Sequence, residues 1–287
     1  MGDACLKKGR FQSSLKDLKN VDFYKAVSAE FVGALLFLFI GVSATFSWPP
    51  QQGKVVDDAA LFLRIGAAFG FAIATTVWIT AGVSGGHINP AVSLGMLVAR
   101  KISFVRFVFY AVAQCLGAMV GVLILKAMIP ASIGGAWGLT KVTHISVGAA
   151  LFFEAIITFG LVITVFASCD GKRTDLSGSG PLAIGIAVFI AHLGAIPVTG
   201  ASMNPARSFG SAVASGKWTD HWVYWIGPML GAVVATLVYE LVFAANASRQ
   251  RVKCWLTSDD YDSDLPKNEY ESGNADYEMG EVKEQEP

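Results

Sequence analysis

Polar and apolar positions fall in blocks along this chain. Six blocks, at about 24–47, 60–81, 104–127, 147–168, 180–198 and 221–244, are long, apolar and poor in charge. About 20 apolar residues in helical form cover the hydrocarbon core of a bilayer, so each block predicts one spanning helix. The connectors carry turn chemistry, as in Trp48-Pro49-Pro50, Ile133-Gly134-Gly135 and Cys169-Asp170-Gly171. Two further stretches are apolar but too short to cross. One follows Ser84-Gly85-Gly86-His87-Ile88-Asn89-Pro90-Ala91, the other Thr199-Gly200-Ala201-Ser202-Met203-Asn204-Pro205-Ala206. A helix of about ten residues reaches ~15 Å, half of the core, and each stretch reads as a half-span.

The two short stretches are copies of one pattern, Gly-x-x-x-Asn-Pro-Ala, and other segments repeat with them. Ala29-Glu30-Phe31 matches Phe153-Glu154-Ala155, and Leu116-Gly117-Ala118-Met119-Val120-Gly121 matches Ile226-Gly227-Pro228-Met229-Leu230-Gly231. The chain is therefore a duplicated unit. Each unit has three spans, and an odd number inverts the second copy. The half-spans then enter from opposite faces and meet near the midplane. Irregular backbone at that depth is tolerated only beside protein or a water-filled cavity, so a polar path is expected at the centre.

Composition supports the membrane reading. Of 287 residues 53% are hydrophobic and only 15% charged, with mean hydropathy +0.51; a soluble domain carries roughly a quarter charged residues. The formal net charge of zero hides a split. From Thr257 onward eleven acidic residues face two lysines. That stretch is expected to be disordered, either as a binding or trafficking tail or as a solvated one. Basic residues cluster before span one (Lys7, Lys8, Arg10, Lys16, Lys19, Lys25), between spans two and three (Arg100, Lys101, Arg106), between four and five (Lys172, Arg173), and after six (Arg249, Arg251, Lys253). The positive-inside rule puts these segments, and both termini, in the cytoplasm. The sequon Asn246-Ala247-Ser248 then escapes glycosylation. Residues 1–25 lack the apolar core of a signal peptide, so span one is expected to direct insertion. Cys5, Cys115, Cys169 and Cys254 match no metal spacing and predict no disulfide framework, although Cys5 could carry a palmitoyl group.

Candidate chemistry sits in the repeat. Asn before Pro starts a helix well, since Asn caps and Pro suits the first turn. One copy reads as a cap alone; two matched copies in inverted halves read as a paired site. Asn89 and Asn204 can each cap with the carboxamide oxygen and donate with the NH2. Arg207 lies in the first turn of the second half-span, where a cation opposes the helix dipole, so a charge facing the outer mouth of the path is expected. His192 lies alone in an apolar span and reads as a core or a path residue; Phe69 alone reads as core. Glu30 and Glu154, at matching places in their spans, are expected to accept hydrogen bonds from the half-span loops.

These residues resemble the aquaporin family. The resemblance rests on both Asn-Pro-Ala segments, on Ala113-Gln114-Cys115-Leu116-Gly117-Ala118 and on His221-Trp222-Val223-Tyr224-Trp225-Ile226-Gly227-Pro228, and it runs from about 24 to 243. It implies an all-α membrane protein of six transmembrane helices plus two half-helices in an inverted repeat. It further implies a right-handed bundle that assembles as a homotetramer with one pore per subunit, and the plasma membrane is the expected location. Residues 1–23 form a cytoplasmic amino-terminal segment and 24–246 the channel, with half-repeats at about 24–127 and 147–244. Residues 247–287 form a cytoplasmic acidic disordered tail open to cytoplasmic partners. By this resemblance the pore motifs are expected to be Asn89, Pro90, Ala91, Asn204, Pro205 and Ala206, and the selectivity filter Phe69, His192, Ala201 and Arg207. His192, and Ser208 after Arg207, fit the water-selective branch; glycerol-conducting members usually lack that His and carry Asp after the Arg. Ala201 stands where a mercury-sensitive cysteine occurs in some members, so no mercurial block is expected there.

The expected function is passive single-file water flow that excludes ions and protons. A glycerol-passing channel and a secondary transporter are the rivals, and a further junctional role stays open. The acids expected at depth, Glu30 and Glu154, already have a structural explanation, which counts against a transporter. No enzyme motif, metal site, cofactor or nucleic-acid partner is expected. Ser103, in Arg100-Lys101-Ile102-Ser103, is a candidate phosphorylation site, with Ser13 a weaker one.

Overall fold

The computed structural model describes residues 16–46, 58–130, 133 and 135–257, and over these the protein is helical without strands. The basic residues before Lys16, Cys5, Ser13, the Trp48-Pro49-Pro50 turn and the tail beyond Thr257 lie outside the described residues. Six helices are long and apolar enough to span: α1 (Val21–Ser43), α2 (Asp58–Ser84), α4 (Phe104–Met128), α5 (Val147–Cys169), α6 (Gly180–Thr199) and α8 (Val223–Val238), the last continued by a π-helical turn, Tyr239–Phe243. Two short helices sit between them, α3 (Pro90–Val98) and α7 (Pro205–Ser215). Their starts are set by capping. Asn89 accepts from the Ala91 N–H at 2.8 Å and Asn204 from that of Ala206 at 3.0 Å, each with Pro in the first turn. Ser103, Ser146 and Ser179 cap α4, α5 and α6 in the same way.

Packing repeats with the sequence. Helix α1 crosses α4 where Gly117 and Gly121 face the carbonyls of Phe31 and Leu35 with no room for a Cβ. Helix α5 crosses α8 where Gly227 and Gly231 face the carbonyls of Leu151 and Ala155 in the same manner. The two halves meet at α2 and α6. There a Cβ on Gly70 would lie 2.7 Å from the Gly185 carbonyl, and one on Gly185 2.5 Å from that of Gly70. Helices without a strong hydrophobic force between them associate through such small residues. Large apolar side chains, among them Trp78, Phe152, Ile156 and Ile190, point outward, as lipid contact requires.

One expectation needs correction. The tail assigned to 247–287 is not unstructured at its start: Arg249–Thr257 form helix α9. Arg251 pairs with Glu240 in the π-helical turn, both nearly buried. Trp255 donates its indole N–H to the Val98 carbonyl at the end of α3, at 3.2 Å. Asp170 accepts from the Tyr239 hydroxyl at 2.9 Å and the Ala245 N–H at 3.0 Å, fixing the bend before α9. Glu240 is thus a third buried acid within a spanning segment, among the described residues. It escapes a reading that looks for acids in matched pairs, because it has no counterpart in the first half.

Candidate functional site

The half-helices meet tip to tip. The Asn89 Nδ2 donates to the Met203 carbonyl at 2.8 Å, and the Asn204 Nδ2 to the Ile88 carbonyl at 3.0 Å. Each motif is therefore tied to the loop of the other. A carboxamide nitrogen carries two N–H groups, so one on each Asn is committed to the opposite loop and one is left over. This refines the sequence reading, which assigned the NH2 to the path alone. Both asparagines are 3% exposed, and Ala91 and Ala206 are fully buried beside them.

The loops are held in an unusual shape. Ile88, Ala201 and Met203 have φ of 55°, 52° and 53°, a region that non-glycine residues rarely adopt and that is worst for a β-branched one. Two carboxylates hold it. Glu30 accepts from the N–H of His87 at 2.9 Å and of Ile88 at 2.6 Å, from the Ser84 hydroxyl at 2.6 Å and from Gln114 at 2.7 Å. Glu154 accepts from the N–H of Ser202 at 3.0 Å and of Met203 at 2.9 Å, and from the Thr199 hydroxyl at 2.6 Å. Ser84 and Thr199 each lie five residues before their Asn. Laying the two motifs side by side would have found them. Gln114 has no such counterpart; its partner position is Tyr224, whose hydroxyl donates to the Thr199 carbonyl at 2.9 Å.

On one side of the junction lie the four predicted filter residues. The rings of Phe69 and His192 stack with centroids 4.9 Å apart and planes 18° apart. The Arg207 guanidinium carbon lies 4.9 Å from the Phe69 centroid, a cation–π contact. Phe69 is seated by Gly41, where a Cβ would come within 2.5 Å of the ring. His192 Nδ1 lies 2.9 Å from the Val188 carbonyl. Only a protonated Nδ1 makes that bond, so a neutral ring presents Nε2 as an acceptor, and Nε2 has no protein partner among the described residues. Arg207 donates to the carbonyls of Gly138 and, at 3.4 Å, Gly200, while its Nε–H has no such partner. Ala201 is fully buried next to Gly200. The site so brings together one ring acceptor, one cationic donor and an aromatic wall. The Gly138 carbonyl escapes sequence reading because a backbone acceptor leaves no residue signature.

Two cavities flank this core. One of about 430 Å³ is bordered by Thr45, Phe46, Gly138, Gly200 and Arg207. The other, of about 100 Å³, is bordered by Gly85, His87, Asn89, Val77 and Ile184. Together they approach the junction from its two sides. Ser103 lies away from both. It caps α4 and donates to Asp17 at 2.5 Å, while Asp17 also pairs with Arg106 at 2.7 Å.

Comparison with known proteins agrees with this geometry. Residues 17–239 match the family model described as Major intrinsic protein. Aquaporin-4 of Mus musculus is 51% identical over 230 residues, covering 80% of this chain and 70% of its own length. Aquaporin-1 of Sus scrofa is 40% identical over 255 residues, covering 86% and 94%. Among solved structures, the aquaglyceroporin from Plasmodium falciparum matches with a TM-score of 0.67 at 25% identity, over 77% of this chain and 96% of that one. With crossed Asn-Pro-Ala half-helices in an inverted six-span bundle, and a family model matched over most of its length, the chain belongs to the major intrinsic protein family, the aquaporins.

Proposed function

We propose that the protein is a water-selective channel that carries passive, osmotically driven, single-file flow. The observation that carries this reading is the junction: two half-helix N-termini opposed at the centre, each with an Asn N–H left over after the crossed bonds. Helix N-termini carry partial positive charge, so the centre disfavours cations. A water there meets two donors and must use its oxygen as acceptor, which breaks a proton-conducting chain. Exclusion of protons and cations by half-helix ends is the general rule for aquaporin-type pores.

The filter adds selectivity. Water can donate to His192 Nε2 and accept from Arg207 at once, replacing the hydrogen bonds it leaves behind. Phe69 narrows the passage, and a polyol would meet a wall with too few partners for its hydroxyls. A secondary transporter would need a free acid at depth; Glu30 and Glu154 already accept several hydrogen bonds each.

The protein acts as a homotetramer in the plasma membrane with both termini cytoplasmic, an orientation supported by the basic connectors. Phosphate on Ser103 would break the α4 cap and meet Asp17, loosening the amino-terminal contact. The acidic sequence beyond Thr257 serves to bind cytoplasmic partners. The decisive experiment is stopped-flow shrinkage of proteoliposomes with water and glycerol in parallel. Low activation energy for water with no glycerol flux is expected; glycerol flux comparable to that of a glycerol channel would refute water selectivity.

A further inference from the structure

The connector between α4 and α5 meets the filter through one backbone atom, the Gly138 carbonyl. Its side chains have no role in the reading above, yet Thr140 is only 3% exposed. The Thr140 hydroxyl donates to Ser208 Oγ at 2.8 Å, Ser208 Oγ lies 2.7 Å from Ser202 Oγ, and Ser202 donates to the Asn204 carbonyl at 3.0 Å. Each hydroxyl has one proton. Ser202 gives its proton to the carbonyl, so Ser208 gives its own to Ser202 and Thr140 to Ser208. The chain runs in one direction and uses every proton.

These bonds close a ring. Arg207 reaches from α7 to the Gly138 carbonyl, the connector runs two residues to Thr140, and Thr140 returns to Ser208, the neighbour of Arg207. The other ties of the connector go elsewhere. The Lys141 N–H donates to the Thr199 carbonyl at 3.2 Å; Thr143 reaches the Val198 carbonyl at 2.9 Å and the Pro197 carbonyl at 2.8 Å. Those hold the connector to the end of α6, whereas Thr140 holds it to the half-helix that carries the cation. Backbone at Trp137 and Gly138 has φ of 53° and 68°, so the aim of the Gly138 carbonyl depends on such restraints.

The inner half shows what is special here. Ser93 follows Asn89 by four residues, as Ser208 follows Asn204. Ser93 meets His87 Nδ1 at 3.0 Å and Gln114 at 3.0 Å. Its outside partner is therefore a spanning helix, which is rigidly packed. The outer half uses a surface connector instead.

We propose that Thr140 is a positioning residue for the filter: through Ser208 it holds the Gly138 carbonyl against Arg207 and so sets the width and polarity of the narrowest passage. The inference rests on the water-channel reading and goes beyond it in assigning selectivity to a residue that does not touch the permeant.

The test compares wild type, Thr140→Val and Thr140→Ser in proteoliposomes at matched protein density, with thermal unfolding in detergent alongside. Thr140→Val keeps the shape and removes the hydroxyl; Thr140→Ser keeps the hydroxyl. The expected result is a rise in glycerol permeability of roughly tenfold for Thr140→Val, the factor a lost buried hydrogen bond supplies, with water flux retained and Thr140→Ser close to wild type. A water-to-glycerol ratio unchanged in Thr140→Val overturns the proposal, whether or not thermal stability drops. If Thr140→Val does not assemble, Ser208→Ala cuts the same chain at its next link and is read in the same way. Failure of both to assemble, with Thr140→Ser conducting normally, assigns the hydroxyls to stability and also overturns it. Wild-type vesicles that pass no water, or that pass glycerol freely, refute the underlying channel reading instead.

Discussion

His192 commits Nδ1 to a backbone carbonyl and leaves Nε2 without a partner among the described residues. Replacing it with Gly removes both an acceptor and a ring that stacks on Phe69. Glycerol permeability of His192→Gly vesicles is expected to rise on the order of tenfold, since one missing polar contact at a tight site is worth about 1–2 kcal/mol. Full glycerol exclusion by that variant would remove His192 from the filter. Glu154 poses the opposite case, a residue whose value is structural. In Glu154→Gln one oxygen becomes an NH2 that faces donors, so at least one bond to the Thr199–Met203 loop becomes a donor–donor clash. A cost of about 2–4 kcal/mol is expected, seen as a lower unfolding temperature in detergent. Wild-type stability in that variant would mean that the strained loop needs no acceptor there. Both residues were visible in the sequence, but unequally. Glu154 stood out by its match with Glu30, whereas Phe69 was assigned to the proposed filter only through family resemblance, because nothing about a Phe in an apolar span marks which way it faces.

Helices repeat the same lesson with other physics. The spans and half-spans were legible because apolar length and Asn-Pro caps are local properties. The glycine crossings were visible as a repeated pattern, though not their purpose. Gly231→Val would drive a Cβ into the Ala155 carbonyl, and no correctly folded protein is expected by size-exclusion chromatography; a monodisperse, water-conducting Gly231→Val protein would show that α5 and α8 can separate. Helix α9 was not legible, since its segment was read together with the acidic tail, Val98 is far from Trp255 in sequence, and Glu240 has no counterpart in the first half to mark it. Arg251→Met removes the ion pair that Arg251 makes with the nearly buried Glu240, and breaking a buried pair costs about 3–5 kcal/mol. Faster proteolysis of the segment after Ala245 is the expected sign, and an unchanged rate would show that α9 is held by other contacts. The bend before α9 also carries a pH dependence. Burial pushes the Asp170 carboxyl up, but the N–H groups of Ala245 and Lys172, the Tyr239 hydroxyl and the nearby Arg251 outweigh it, and the carboxyl lies below its usual range. A depressed acid stabilises above its ordinary value and loses that contribution as pH falls through the lower one. Protection of this bend in hydrogen exchange is therefore expected to hold at neutral pH and to fade only below about pH 4.

At the scale of the molecule, parity was the most informative property of the sequence. Three spans per copy dictate inversion, and inversion dictates that two half-helices meet. What parity could not supply was the bond that joins them, because each Asn is satisfied by a backbone carbonyl of the other copy. Those crossed bonds join residues 114 and 116 positions apart. Contacts of such long separation form late, after the intervening chain has been ordered. The pore centre is then completed late, only once the second half has been made. Until the second half-helix is in place, the Ile88 carbonyl of the first half lacks its Asn204 donor. Half of the chain can build its own half-helix and loop but not the centre, since each Asn donates to a carbonyl of the other half.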